Sequence, residues 1–413
     1  MQIILLIIMK TKVGILRETK TPPDRRVAVT PLLAIEMKEK FQNVVLKVQE
    51  SDLRCFSDKE YNDSGINVYE DISDCDILIG VKEVDIPALI EGKAYLFFSH
   101  TAKKQPYNRE LLQEIIRKKI TLIDYEYLTD ENNIRLVAFG HWAGIVGAYN
   151  GLLAWGKRYN SFDLKPAHKC HDMSEMLSEL NKVDLPAIKI LVTGGGRVTY
   201  GALEALAPLN LRDVSPEEFL TETYDEPVIC RIDPDHYVRR KDGRTFDLQH
   251  FFDHPAEYKS TFRPYTKVTD LLILCHFWDP ASPVFMTKED MRSDDFNIKV
   301  IADVSCDLNG PVPSTIRVST ISDPFYGYNP LTDKESEPFD KESITVMAVD
   351  NLPGELPRDS SEEFGKTLVQ KVFPSLLGKD SKGIIERATI AKDGRLTKKF
   401  AYLQNYLDGK DIV

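Results

Sequence analysis

The chain lacks paired cysteines. Its six, Cys55, Cys75, Cys170, Cys230, Cys275 and Cys306, fall singly and without CxxC spacing, which excludes a sequence-encoded disulfide framework or cysteine zinc site. Several stand inside apolar, strand-like runs, where a free thiol behaves as a small hydrophobe. The expected setting is reducing and cytoplasmic. Basic stripes are equally missing: 53 lysines and arginines face 64 aspartates and glutamates, and the net charge of −11 is spread along the chain. Without a basic face there is no counterion release to drive binding, so no nucleic-acid partner is expected. No metal is expected either, because His168, Cys170 and His171 have no fourth ligand at a workable spacing.

Long apolar runs are scarce. Residues 2–8 (QIILLII) have no basic leader and no small-residue cleavage site, and they are too short to span a bilayer. Met9 follows at once and opens a plausible first strand, which suits an upstream start assignment. Residues 137–156 contain no Asp, Glu, Lys or Arg and reach the length of about 20 residues that a span requires. They also hold His141, Asn150 and a series of glycines. A buried helix packed closely through Gly144, Gly147 and Gly151 is the better reading, and no membrane association is expected.

What remains is a globular composition, 42% hydrophobic and 28% charged over 413 residues, too long for one ordinary core and suited to two domains. From Met9, short apolar runs (12–16, 43–48, 75–81, 94–98 and 120–125) alternate with amphipathic segments. In residues 108–119, for example, Leu111, Leu112, Ile115 and Ile116 stand at helical spacing. Such alternation predicts a parallel sheet with helices on both faces. After the glycine-bearing helix, residues 159–186 read as a loop or linker. A second alternating region follows, with strands in 187–193, 271–275, 298–305 and 344–349 and a polar surface excursion over 323–341. Ser360 and Glu363 form a capping-box pattern ahead of a helix carrying Phe364, Leu368, Val369 and Val372. That helix is expected to return to the first domain.

The sharpest chemical signal is ILVTGGGRVTYG (190–201), a buried strand running into a glycine turn and then a helix. This arrangement brings a pyrophosphate onto a helix N-terminus. Gly194 and Gly196 supply the first two glycines of GxGxxG, but Thr199 holds the third place and Gly201 comes two residues later. About twenty residues on, where an acid would bind the ribose, stand Ser215, Pro216, Glu217 and Glu218, with no acid clearly at a strand end. Arg197 could meet a phosphate instead, so NAD and NADP both stay open. In the first domain, polar residues close several strands: Lys82 and Glu83, Ser99 and His100, Asp124 and Glu126. Open parallel sheets bind ligands beyond those strand ends. Arg25 and Arg26 precede an apolar segment and could grip a carboxylate through a planar fork.

The segments DRRVAVTP (24–31), ILIGVKE (77–83), YLFFSHTAKKQ (95–105), LIDYEYL (122–128) and IRLVAFGHWAG (134–144) resemble the lysine–2-oxoglutarate reductase domain of the bifunctional lysine-degrading enzyme. More loosely they resemble lysine-forming saccharopine dehydrogenase, and both are related to the alanine dehydrogenase and transhydrogenase fold. DVSCD (303–307) and VDNLPGELPR (349–358) extend the resemblance into the second domain. It implies an α/β protein of two Rossmann-like, doubly wound parallel-sheet domains. The substrate domain is expected over 9–158 plus 353–413, discontinuous in sequence, and the dinucleotide domain over 159–352.

By the same resemblance, Lys82 and His100 are the acid–base pair, and Arg26, Gln105, Arg135 and Phe139 bind substrate. Gly194, Gly196, Arg197, Val198 and Val349, Asp350, Asn351 and Leu352 contact NAD or NADP. The implied reaction interconverts saccharopine with L-lysine and 2-oxoglutarate. The small-molecule substrate is then saccharopine, or lysine with 2-oxoglutarate, while the oligomeric state stays open. The sequence departs from the family pattern at the third glycine, at the ribose acid and in an insert-like stretch over 216–265. An amino-acid dehydrogenase of the alanine dehydrogenase kind, and a non-catalytic dinucleotide-binding relative, are the competing expectations.

Overall fold

The computed structural model describes residues 10–410, so the reading of residues 2–8 falls outside the described part. The chain forms two compact units. One takes in the residues up to Ala138 together with those from Pro357 onward, and the other is Phe139–Leu356. In chain order the first unit supplies strands β1 (Thr11–Ile15), β2 (Val44–Gln49), β3 (Val68–Tyr69), β4 (Ile77–Ile79), β5 (Ala94–Phe97) and β6 (Thr121–Asp124). The second supplies β7 (Lys189–Thr193), β8 (Arg212–Asp213), β9 (Val228–Ile232), β10 (Val238–Arg240), β11 (Tyr258–Ser260), β12 (Leu271–Leu274), β13 (Val300–Asp303), β14 (Phe325–Asn329), β15 (Lys334–Ser336) and β16 (Ile344–Met347). Strands β17 (Thr389–Lys392) and β18 (Arg395–Leu396) belong to the first unit again.

The first sheet runs β18-β17-β6-β5-β4-β1-β2-β3. Strands β1 to β6 pair in parallel, while β17 and β18 add an antiparallel edge, so the sheet is mixed where a parallel one was expected. The central strands are buried along most of their length, as near-continuous Val/Ile/Leu runs require. The helix Arg109–Arg117 buries Leu111, Leu112 and Ile115, following the predicted periodicity. The returning helix does join this unit, but it spans Pro357–Thr367 rather than starting after Ser360. Proline suits a first helical turn because its missing N–H has no partner there. Ser360 is thus a buried interior residue and not a cap. Beside it, Ser361 Oγ donates to the Pro357 carbonyl at 2.5 Å and accepts the Val27 N–H at 2.9 Å.

The second sheet runs β15-β14-β16-β13-β12-β7-β9-β8. Its alternate residues feed two separate cores. Ile190, Val192, Ile229, Leu271, Ile273, Val300 and Ala302 enter one, while Leu191, Val228, Cys230, Leu272, Leu274 and Ile301 enter the other. Both faces are therefore covered, the doubly wound arrangement anticipated from the alternating pattern. Residues 323–341 are not a mere excursion: β14 and β15 form an antiparallel hairpin on β16, with Phe325, Tyr326 and Tyr328 buried. The supposed insert contains β9, which pairs directly with β7. The supposed linker contains a helix, Met173–Glu179, capped where Asp172 Oδ1 accepts the Glu175 N–H at 2.9 Å.

The helix Gly140–Tyr159, expected to close the first domain, lies in the second unit. Its glycines explain why. A Cβ at Gly144 would fall 1.8 Å from the Val198 carbonyl oxygen, and one at Gly201 would fall 2.0 Å from the His141 carbonyl oxygen. The helices Gly140–Tyr159 and Arg197–Leu206 thus pack backbone to backbone, and Gly147 and Gly151 lie against Val304 and Ala302. Among the described residues no helix is long and apolar enough to cross a membrane.

Candidate active site

The C-terminal ends of β1, β4, β5 and β6 face one edge of the first sheet because these strands are parallel. Lys82 follows β4 and His100 follows β5. The β4 loop is fixed from two sides. Glu18, just beyond β1, accepts the Val81 N–H at 2.7 Å and the Lys82 N–H at 2.8 Å, and the Tyr125 hydroxyl donates to the Gly80 carbonyl at 2.9 Å. The β5 loop is held by buried Asp124, which accepts from the Ser99 N–H at 3.0 Å and the Ser99 hydroxyl at 2.5 Å. His100 takes a left-handed φ of 52°, a costly conformation for a side chain. Its ring stacks on Phe98 with a 13° interplanar angle.

The charges here are paired before any substrate is present. His100 Nδ1 lies 2.5 Å from Glu83 Oε1, and Lys20 Nζ lies 2.8 Å from Glu83 Oε2. Arg26 forms a two-pronged pair with Asp24 at 3.0 and 2.6 Å, and both side chains are 2% exposed. Burial lowers the Lys82 amine to about 8, helped by the neighbouring Arg26 and opposed by Asp24 and Glu83. Burial works against ionisation of Glu83, but the His100 hydrogen bond and charge and the Lys20 ammonium bring its carboxyl down to about 2. Burial also opposes ionisation of Asp24, and the Arg26 guanidinium overrides it, holding that carboxyl well below the usual range.

The sequence-predicted substrate residues fare unevenly. Lys82, His100 and Arg26 share this region, but Arg26 already commits its Nε and Nη2 edge to Asp24. Arg135 lies with its guanidinium 5.3 Å over the Phe98 ring, and Phe98 in turn stacks on His100. Its Nε donates to the Val137 carbonyl at 2.8 Å. The side-chain oxygen of Gln105 accepts from the Tyr107 hydroxyl, and its carbonyl accepts from the Tyr406 hydroxyl at 2.6 Å. Phe139 was expected in the substrate domain but belongs to the second unit, immediately before the helix Gly140–Tyr159.

In the second unit a cavity of about 940 Å³ opens at the glycine turn. Gly194, Gly196, Arg197 and Val198 line it, with Asp233, Tyr237, Phe252, Phe277 and Trp278. Gly194 has a φ of 97°, and nothing lies within 4 Å of where a Gly196 Cβ would stand. No side chain caps the N-terminus of the helix Arg197–Leu206. An open glycine turn and a helix start without a side-chain cap are what a pyrophosphate needs, so these residues fit a dinucleotide. Thr199, in the third glycine's place, is buried and satisfies its hydroxyl on the Thr193 carbonyl at 3.3 Å. Val349 and Leu352 do not line this cavity, because their side chains belong to the hydrophobic core.

An acid does stand beside the glycine turn, outside the stretch where the sequence spacing placed one. Asp233 follows β9, the strand beside β7, and a Cβ on Gly195 would fall 2.5 Å from its Oδ1. It pairs with Arg231 at 2.8 Å. The extra elements β8 and a short helix, Pro216–Thr221, displace it well past twenty residues from the turn. Ser215 is only the cap of that helix, in a reciprocal box with Glu218. Among the described residues no group of three His, Cys, Asp or Glu is arranged to hold a metal, and all six cysteines are free.

Comparison with known proteins follows the same lines. Residues 14–146 match the family model for the alanine dehydrogenase/PNT N-terminal domain. The chain is 28% identical to alpha-aminoadipic semialdehyde synthase of Arabidopsis thaliana over 95% of its own length and 41% of that protein. It is 29% identical to the mitochondrial protein of that name from Rattus norvegicus, covering 89% of this chain and 45% of the relative. The chain thus spans less than half the length of these relatives. It is 25% identical to the NAD(+), L-lysine-forming saccharopine dehydrogenase of Neurospora crassa, over 86% of this chain and 87% of that one. Among solved structures, an L-alanine dehydrogenase superposes with a TM-score of 0.63 at 15% identity, covering 97% of this chain and all (100%) of the other. A transhydrogenase from Sinorhizobium meliloti superposes with a TM-score of 0.56 at 15% identity, covering 94% and 98%. The two mixed sheets therefore form the Rossmann-like fold of alanine dehydrogenase. The resemblance read from the sequence, to saccharopine dehydrogenase and the alanine dehydrogenase group, holds over nearly the whole chain.

Proposed function

We propose that the chain is a nicotinamide-dependent oxidoreductase that interconverts saccharopine with L-lysine and 2-oxoglutarate. The observation that carries the reading is Lys82, an amine brought down to about 8 and fixed at the end of β4, where the adjacent Glu83 holds His100 from the end of neighbouring β5. A base that titrates near the working pH is what removal of an amine proton requires. A bound nicotinamide dinucleotide supplies the hydride acceptor.

The chain's own groups manage orientation and protons. Neutral Lys82 takes the proton from the substrate's secondary amine as its C–H bond is oxidised, and the substrate becomes an imine. Water then adds to the imine carbon. His100 takes the water's proton and returns one to nitrogen as the adduct opens to lysine and 2-oxoglutarate. Glu83 stays ionised and therefore accepts the Nδ1–H of His100, leaving Nε2 as the basic nitrogen. Arg135, held over Phe98, is suited to a substrate carboxylate.

The second unit's cradle suits the cofactor, and Asp233 favours NAD over NADP. A carboxylate beside the glycine turn accepts ribose hydroxyls and repels a 2′-phosphate. The test is to incubate purified protein with lysine, 2-oxoglutarate and NADH and to look for saccharopine by mass spectrometry. Formation that stops when either amino acid or oxo acid is left out supports the reading, and absence of the adduct refutes it.

A further inference from the structure

We infer that Glu18 is a positioning residue for Lys82: its carboxylate grips the loop that carries this lysine and sets where the amine is presented. The inference rests on the reading of Lys82 as the acid–base group. Strands β1 and β4 are neighbours, and their backbone pairing runs out where the Leu16 N–H reaches the Ile79 carbonyl at 2.8 Å. Beyond that point the tie from the β1 side is made by a side chain. Glu18 Oε1 takes the Val81 N–H at 2.7 Å and Oε2 takes the Lys82 N–H at 2.8 Å. Gly80 makes room for this, since a Cβ there would stand 3.3 Å from Glu18 Oε1.

A backbone ladder would hold the loop equally well at any pH, but a carboxylate holds both N–H groups only when it is ionised. A neutral acid has one good acceptor oxygen and a hydroxyl proton facing a donor. Burial and Asp24 push the Glu18 carboxyl up to about 8, against the Val81 and Lys82 N–H groups and Arg26, which pull it down. The charged and titratable groups around it are Asp24 and Arg26 from the segment after β1, Lys82 from the β4 loop and Tyr125 from the end of β6, with Glu50, Asp52 and Asp58 on the pocket that it also lines. Glu18 and Lys82 therefore titrate in the same range, and the oxidative reaction requires both to be without their protons.

The test compares wild-type protein with Glu18→Gln, and with Gly80→Ala, which presses on the same link while leaving the Glu18 carboxyl in the chain. In saccharopine oxidation, the acid limb of log kcat against pH should steepen toward a slope of about 2 in wild type and fall to about 1 in Glu18→Gln. The plateau should drop by about 10–100-fold with little change in KM, the scale of a misplaced acid–base group. A lower plateau with an unchanged slope would mean a merely structural role and overturn the proposal. Competitive acetylation of Lys82 with acetic anhydride, read by peptide mass spectrometry against exposed Lys59, needs no substrate. Its pH profile should shift in Glu18→Gln and its rate should fall in Gly80→Ala. Identical Lys82 labelling in all three proteins would overturn the inference even if saccharopine turns over. A shift in labelling without any turnover would keep Glu18's role and remove the proposed reaction.

Discussion

The two units build their candidate sites from different materials. In the first, the site is made of ionisable side chains that are already paired: Asp24 with Arg26, and Glu83 with His100 and Lys20. In the second, it is made of backbone, a glycine turn and a helix start that no side chain caps, with Asp233 beside the turn. Side-chain networks tune proton affinities, which chemistry on an amine requires. Backbone cradles offer fixed donors whatever the pH, which suits holding a phosphate. The first site should thus respond to pH and charge, and the second to ligand shape.

The largest effect expected of this contrast is on turnover. Lys82→Met and His100→Gln should each lower kcat by roughly 10²–10⁴-fold, the usual range for an acid–base group, while NADH affinity measured by titration calorimetry stays near wild type. Equal loss of cofactor binding would erase the distinction between the two sites. Next is the buried pair: Asp24→Ala removes one half of a buried, two-pronged ion pair and should cost about 3–5 kcal/mol in urea unfolding at neutral pH. Because the folded-state Asp24 carboxyl lies well below its ordinary value, this stability is fully present above about pH 4 and is lost as pH falls further. The variant and wild type should therefore converge in acid.

Lys82 carries the opposite sign. Its folded value of about 8 lies below the ordinary 10.5, so at neutral pH the folded state carries the cost of a buried charge. Lys82→Met should stabilise the protein by about 1–3 kcal/mol at pH 7. The gain should fade between about pH 8 and pH 10.5 and be absent above it. An inactive variant more stable than wild type is the signature of a group kept for chemistry. The smallest effect belongs to the second unit: Asp233→Asn should shrink the preference for NADH over NADPH by about tenfold in kcat/KM, near 1.4 kcal/mol. An unchanged ratio would remove Asp233 from cofactor choice.

Much of this architecture was legible in the residues. The apolar runs of β1, β4, β5, β6, β7, β12, β13 and β16 stood out because strands buried on both faces leave an unbroken signature. The glycine turn and the lysine and histidine at strand ends were visible for the same local reason. What escaped depends on pairing between distant segments. Val228–Ile232 was lost in an apparent insert because its neighbour in the sheet, β7, lies far back in the sequence. Asp233 went with it, since a search at a fixed spacing assumes no extra elements between the glycine turn and the next strand. Glu18 and Lys20 are ordinary charges until the sheet brings them to Lys82 and Glu83. The helix Gly140–Tyr159 was read correctly as buried, but its glycines could not say which unit they would pack against.

The central claim is tested most directly by the rate of NADH oxidation in two mixtures, lysine with 2-oxoglutarate and pyruvate with ammonia. Oxidation that requires both lysine and 2-oxoglutarate, is far slower with pyruvate and ammonia, and collapses in Lys82→Met is the predicted result. Oxidation in the pyruvate mixture alone would contradict the account and assign the chain an amino-acid dehydrogenase activity of the alanine dehydrogenase kind.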